Sequence, residues 1–354
     1  MNENHPREVL PISPEWSIPQ VAEALYRALS GEGPALAFAP VSTTTVAADI
    51  AVIIPTSGST GAPKEVALSA SALITSARAS HKYLEAQSGN RWSLLLPTNH
   101  IAGVNVLVRA LELGVQPVSI DEDAQFTAIV PTQLHRSLNG DVKLLHHLKN
   151  CTAVLVGGAA TSDDLVGAAR AEGINVVTTY GMSEMSGGCI YNNSPLAGVD
   201  VRINSAGAIQ LKGPMMATGY LNNPGLWQSV TSDGWFTTSD LGELREGKLY
   251  VHGRSDDQII SGGEKISIGA IENLLRAEFN QEFLAFGIPD LEWGTKLVIA
   301  SNAEIDIERV RSITRSEFGA HAVPKEFITL EKLPLTSIGK PDRSAAREIY
   351  LAHE

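Results

Sequence analysis

Cysteine is nearly missing from this chain of 354 residues, which holds only Cys151 and Cys189. Two cysteines without metal-like spacing offer no disulfide framework and fit a reduced compartment, the cytoplasm. Long apolar runs are missing too, and none approaches the roughly 20 residues of a membrane span. The opening residues, MNENHPREVLPISPEW, lack a basic start followed by an apolar core, so no secretory leader is expected. Basic residues are outnumbered, 27 Lys and Arg against 39 Asp and Glu, for a net charge of −12. That balance argues against a nucleic-acid footprint. It also requires a local positive site for any anionic ligand, since the global field repels one. What remains is an ordinary globular composition, 44% hydrophobic, with length for about two domains. Internal repeats and low-complexity stretches are absent.

Residues 53–69, IIPTSGSTGAPKEVALS, carry the first chemical signal. Small hydroxylated residues and glycines leave backbone N–H groups uncovered, and such nests bind anions, phosphates above all. Lys64 adds a point charge. The familiar phosphate-loop pattern G-x-x-x-x-G-K-[ST] is nonetheless missing, because Pro63 stands where its second glycine belongs and Glu65 follows the lysine. The nucleophile elbow G-x-S-x-G fails as well, with Ser57 in place of its first glycine. The stretch is a phosphate cradle of another kind, or a plain Gly/Ser-rich surface turn.

Around it, strand-like and helix-like segments alternate. Residues 46–56 read as a buried strand, 69–87 as a helix with Ser69 at its N-cap, 91–97 as a short strand, 101–114 as a helix ending at Gly114, and 115–121 as another strand. Residues 126–138, 151–173 and 174–184 repeat the rhythm, which predicts a mostly parallel α/β sheet. From about Leu196 to Arg254, alternating strands with Gly and Asp turns predict an antiparallel subdomain. After Arg254 a small α+β unit is expected, with helices over 269–279 and 306–318 and strands near 283–288 and 295–300.

Four further stretches carry chemistry, although each alone is an ordinary turn. In TTYGMSEMSGG a strand ends at Thr179, where open α/β sheets place their ligands. Tyr180 offers an aromatic face and Glu184 a carboxylate for Mg²⁺. In VLVGGAAT, Gly157, Gly158 and Ala159 let a flat ring approach the backbone. In TTSDLGEL and VHGRSDD, Asp240 can accept from two ribose hydroxyls and Arg254 can donate to them. In LPLTSIGKPDR, two prolines and a glycine stiffen the loop of Lys340, whose ammonium suits a phosphate.

Taken together and in this order, the five stretches resemble the signature blocks of the adenylate-forming superfamily of acyl-CoA synthetases, luciferases and peptide-synthetase adenylation domains. The resemblance runs from Thr56 to Arg343, most of the chain. It implies an α/β fold: a large N-terminal domain (1–255) of parallel α/β layers plus a small antiparallel subdomain, and a small mobile α+β C-terminal domain (256–354). It implies ATP, Mg²⁺ and coenzyme A as ligands. ATP would be held by Thr56, Ser57, Gly58, Ser59, Thr60, Gly61, Lys64, Gly158, Ala159, Thr179, Tyr180, Gly181, Met182, Ser183, Asp240, Arg254 and Lys340, with Glu184 for the metal. The loop of Gly262, Gly263 and Lys265 would serve coenzyme A, and it would alternate with Lys340 at the site through a swing about Asp256. Three positions depart from the family pattern. Glu65 replaces a glycine, Ser239 replaces the glycine before Asp240, and Ser183 stands for a threonine while keeping the hydroxyl.

The segment ahead of the phosphate loop is short for this family. In that, and in LPTNHIAGVNVLVRAL and DQIISGGEKIS, the chain resembles the short o-succinylbenzoate–CoA ligases of menaquinone biosynthesis. The implied substrate is an aromatic dicarboxylic acid. His100 would close its carboxylate site beside Gly157, unless that histidine simply caps a helix. Asn105 and Arg109, spaced i, i+4, share a helix face, and an arginine suits a second carboxylate. A solvated helix arginine is the alternative. His146 and His147 are adjacent and face different ways on a helix, so no metal site is read there. Another aryl acid, a carrier protein as acceptor, and an inactive family-derived binding module remain open. No nucleic acid or membrane insertion is expected, and a homodimer is compatible with all of this.

Overall fold

A computed structural model describes residues 6–56, 63–255, 257–279, 281–335 and 341–353. The chain divides into two compact units. The first comprises Met1–Asn204, Ile209–Thr238 and Leu244–Leu249, and the second Ser205–Ala208, Ser239–Glu243 and Tyr250–Glu354.

The first unit contains two six-stranded sheets. One runs Gly219–Tyr220, Lys64–Ser69, Ile50–Thr56, Ala35–Ala37, Arg7–Pro11, Thr45–Val46. Three of its strands and the helix Ile18–Ser30 precede residue 47, a region left unassigned by the sequence pattern. Its central strand Ile50–Thr56 is the expected buried strand, and it pairs antiparallel with Lys64–Ser69, Thr56 opposite Lys64. The other sheet runs Ser194–Pro195, Gly187–Tyr191, Val176–Met182, Ala153–Val156, Phe126–Ile129, Trp92–Ser93. Its last four strands are mutually parallel and the first two antiparallel, so the sheet is mixed with a parallel heart. Along Ala153–Val156, Ala153 and Leu155 pack into one apolar cluster and Val154 and Val156 into another. Side chains alternate across a strand, so both faces are covered, as parallel strands require.

The expected helix over 69–87 forms as Ala70–Leu84, and the Ser69 hydroxyl accepts from Ala72 N at 3.1 Å. Gly114 follows the helix Ile101–Glu112 with φ +77°, a left-handed conformation that glycine adopts without a Cβ clash. The strand expected over 115–121 reduces to a single bridge, Ser93 opposite Val118. Val118 N donates to Trp92 O and its carbonyl accepts from Leu94 N, both at 2.9 Å, and Pro117 faces the outer edge, where proline is tolerated.

The helix Ile101–Glu112 is buried from Gly103 through Ala110. Val104, Leu107 and Val108 pack into one apolar cluster of the unit, and Val106 and Ala110 into another. A helix apolar on all sides belongs in an interior, and Arg109 is carried there with it.

The second unit contains the expected α+β elements. Phe283–Asp290 pairs antiparallel with Gly294–Ser301, which pairs parallel with Glu326–Thr329. Helices Ile268–Phe279, Ile307–Phe318 and Arg343–His353 accompany them, and the sheet's two faces fill separate apolar clusters. The hairpin Gln258–Ser261/Glu264–Ser267 turns through Gly262 and Gly263, with φ of +59° and +85°. Positive φ at both central residues is the two-residue hairpin turn that glycine pairs favour. Among the described residues no helix is long and apolar enough to cross a membrane.

Candidate active site

In the first unit the antiparallel hairpin brings Thr56 opposite Lys64. Ser57, Gly58, Ser59, Thr60 and Gly61 lie outside the described residues. The Lys64 ammonium lies 5.1 Å from the ring centroid of Tyr220, a cation–π contact. The Tyr220 hydroxyl in turn donates to Glu184 Oε1 at 2.6 Å. Burial, and then the Glu184 charge, push the Tyr220 phenol far up, so it stays protonated and donating. Tyr220 therefore joins Lys64 to the carboxylate read as a metal ligand. Glu184 Oε2 takes no hydrogen bond from the described residues. One free carboxylate oxygen fits Mg²⁺, which commonly takes one or two protein carboxylates together with substrate phosphates.

The strand Val176–Met182 supplies Thr179, Tyr180, Gly181 and Met182, and the short 3₁₀ turn Ser183–Met185 supplies Ser183 and Glu184. Two glycines there are required by space. A Cβ on Gly157 would lie 2.1 Å from Thr179 Oγ1, and one on Gly181 2.0 Å from Gly187 O. Gly158 holds φ +84°, and Gly158 and Ala159 are exposed just past the strand Ala153–Val156. Backbone is thus laid open beside the strand that carries Tyr180 and Gly181, which runs on to Met182 rather than ending at Thr179.

Ser186, just after Glu184, takes the left-handed conformation at φ 53°. Its carbonyl accepts from Asn105 Nδ2 at 2.8 Å and from the Ser76 hydroxyl at 3.2 Å. Asn105 is 3% exposed, and its amide is engaged in holding the turn that presents Glu184. His100 takes the N-cap position, its carbonyl accepting from Gly103 N and Val104 N.

Arg109 is 4% exposed, so the solvated alternative is overturned. Its Nη2 donates to the Tyr191 hydroxyl at 3.0 Å, and its guanidinium lies 5.0 Å from the Trp92 ring centroid. No carboxylate among the described residues pairs with it. Arg109 Nε, Trp92 Nε1 and His81 Nε2 are all buried without a hydrogen-bond partner. Burial, and then the Arg109 charge, lower His81 to about 4, so its ring is neutral. His147, set aside as a metal ligand, lies with Nε2 2.8 Å from the Ser93 hydroxyl.

In the second unit Arg254 Nη1 lies 3.4 Å from Asp240 Oδ1. Ser255 N donates to Ser239 O at 2.7 Å, tying the two stretches together. Lys265 is exposed on the hairpin behind Gly262 and Gly263. Asp256 and Lys340 lie outside the described residues. Burial pushes both thiols up to about 12, which makes them poor nucleophiles.

Sequence reasoning missed Tyr220, Ser186, Trp92 and His81. The all-round apolarity of residues 101–112 was the available sign that Arg109 is not a surface residue. For Tyr220 the sequence holds no comparable sign, because its partners lie more than thirty positions away in the chain.

The family model described as AMP-binding enzyme matches residues 10–221. A probable 2-succinylbenzoate–CoA ligase of Mycobacterium tuberculosis is 34% identical, over 91% of this chain and 93% of its own length. A 2-succinylbenzoate–CoA ligase of Listeria monocytogenes is 29% identical, over 84% and 70%. The fold is similar to that of o-succinylbenzoate CoA synthetase from Bacillus subtilis in complex with the acyl-adenylate intermediate OSB-AMP. There the TM-score is 0.73 at 24% identity, over 96% of this chain and 82% of that one.

Proposed function

The chain belongs to the AMP-binding enzyme family, and on that premise we propose that it is an ATP-dependent acid–CoA ligase that converts 2-succinylbenzoate to its CoA thioester in the cytoplasm. One observation carries the choice of substrate: the buried Arg109 guanidinium has an unpartnered Nε and, among the described residues, no carboxylate beside it. An unpaired buried charge is strongly unfavourable. A ligand carboxylate supplies the counter-ion, and the partnerless indole N–H of Trp92, whose ring lies 5.0 Å from the guanidinium, marks the same region as short of an acceptor. An acid with one reacting carboxylate and a second one to bind meets that need.

The reaction has two steps. A carboxylate oxygen of the acid attacks the α-phosphorus of ATP, and pyrophosphate leaves. The thiol of coenzyme A then attacks the acyl carbon, and AMP leaves. Lys64 is assigned to the β- and γ-phosphates, with its ammonium held over Tyr220. Glu184 is assigned to Mg²⁺, which when bound neutralises charge on the phosphate oxygens. The exposed backbone at Gly158 and Ala159 and the ring of Tyr180 are assigned to the adenine, Asp240 and Arg254 to the ribose, and His100 with Gly157 to the reacting carboxylate. Lys340 would stabilise charge growing on the α-phosphate, and Gly262, Gly263 and Lys265 would serve coenzyme A after a rotation about Asp256.

A panel of carboxylic acids, assayed for AMP release with and without coenzyme A, tests the reading. 2-Succinylbenzoate is expected to release AMP and form a thioester only when coenzyme A is present. Preference for benzoate or a fatty acid would overturn the substrate, and AMP release indifferent to coenzyme A would overturn the acceptor.

A further inference from the structure

Glu65 stands where the resembled family has glycine, directly after the loop lysine, and a carboxylate beside a phosphate site is at first sight misplaced. The strand resolves it. Successive side chains point to opposite faces, so Lys64 reaches over Tyr220 while the Glu65 carboxylate turns away. There it is 4% exposed and fully engaged. Oε1 accepts from Ser42 N at 2.5 Å and from the Ser42 hydroxyl at 2.7 Å, and Oε2 accepts from the Thr43 hydroxyl at 2.5 Å. Burial alone would push the carboxyl up, but the bonds from Thr43 and Ser42 outweigh it and hold the group below the usual carboxylate range.

The backbone on either side of Lys64 is fastened as well. Glu65 N donates to Asn222 Oδ1 at 3.0 Å, and Asn222 Nδ2 donates to Pro63 O at 2.7 Å. Leu221 N donates to Glu65 O at 2.9 Å. One amide side chain thus spans Lys64 from Pro63 to Glu65, while the carboxylate anchors the strand to a segment more than twenty residues earlier. Glycine at 65 would keep the backbone bonds and lose the anchor.

We infer that Glu65 is a positioning residue, its buried carboxylate tying Ser42 and Thr43 to the strand that presents Lys64 and so fixing the lysine's approach to the phosphates of ATP. The inference rests on the assignment of Lys64 to those phosphates. Small misplacements of a binding group carry large losses in rate, which gives a polar tie outside the site leverage within it.

Steady-state kinetics of Glu65→Gln, Ser42→Ala and Lys64→Ala test it. Glu65→Gln is expected to raise KM for ATP about tenfold, the scale of one charge-assisted hydrogen bond. KM for the acid, and thioester formation from preformed acyl-adenylate and coenzyme A, should not change. Ser42→Ala removes one donor at an exposed position, so folding is spared, and it should shift KM for ATP the same way by less. A lowered melting temperature with KM for ATP unchanged in both variants would make Glu65 a merely structural tie and overturn the inference. If Lys64→Ala itself leaves KM for ATP unchanged, the phosphate-loop assignment falls and takes the inference with it. An effective Lys64→Ala beside an inert Glu65→Gln overturns the positioning role alone.

Discussion

Arg109 shows how one residue's meaning depends on what surrounds it. On the i, i+4 spacing with Asn105 it has two equal readings, ligand contact or solvated surface. In the fold it is buried against Trp92 and Tyr191 with Nε unpartnered, and the second reading disappears. Asn105 moves the other way, since its amide is committed to Ser186 O. If Arg109 meets the second carboxylate, Arg109→Ala should raise KM for 2-succinylbenzoate about ten- to a hundredfold, as loss of a charged hydrogen bond does. KM for ATP should hardly move. Arg109→Lys should recover little, because an ammonium lacks the planar fork. A monocarboxylic analogue should be indifferent to both changes, and equal losses for the mono- and diacid would return Arg109 to a packing role.

At the level of elements, the strand Val176–Met182 and its partner Gly187–Tyr191 decide how the site is presented. Gly181 sits against Gly187 so closely that a Cβ would lie 2.0 Å from its carbonyl oxygen and 2.6 Å from its carbonyl carbon. The neighbouring atoms are backbone and cannot swing aside. Gly181→Ala should therefore destabilise the protein by about 1–3 kcal/mol, the usual effect of overpacking, and should lower AMP formation by displacing Tyr180 and Met182. Gly167, inside the helix Asp163–Ala171, has nothing within 4 Å of its Cβ position. Gly167→Ala should stabilise by about 0.5–1 kcal/mol through helix propensity, without touching activity. Thermal melts of the two variants with opposite signs are expected, and the same sign for both would contradict the packing account.

For the whole molecule, the two steps of the reaction make separate demands on the chain. The segment around Lys340 is bracketed by Leu335 and Pro341, which form an antiparallel bridge. Arg343, at the start of the helix Arg343–His353, holds the C-terminal side in place, with Nη2 2.7 Å from Glu272 Oε2 and Nη1 3.0 Å from Asp257 Oδ2. Burial pushes the Glu272 carboxyl up, and the Arg343 charge works against that. Lys340→Ala should slow adenylate formation by about 10²–10³, the loss typical of one preorganised donor. Thioester formation from preformed adenylate should stay near the wild-type rate. Equal loss in both half-reactions would mean that Lys340 supports the fold rather than the α-phosphate.

The sequence by itself determined the things that depend on near neighbours. The helix over 69–87 with its Ser69 cap and the Gly262–Gly263 turn are short-range patterns, and each stands in the chain where the pattern put it. The family follows from the order of the five chemical blocks. Tertiary structure alone decided what depends on distant segments meeting. The strand expected over 115–121 shrank to the one bridge between Ser93 and Val118. The N-terminal strands became legible only once they paired in the first sheet. Tyr220 joins Lys64 to Glu184, Ser42 and Thr43 hold Glu65, and Arg109 is enclosed by helix and sheet. Each of these contacts spans a separation that local periodicity cannot encode, because burial and hydrogen bonding are settled only when the chain closes on itself.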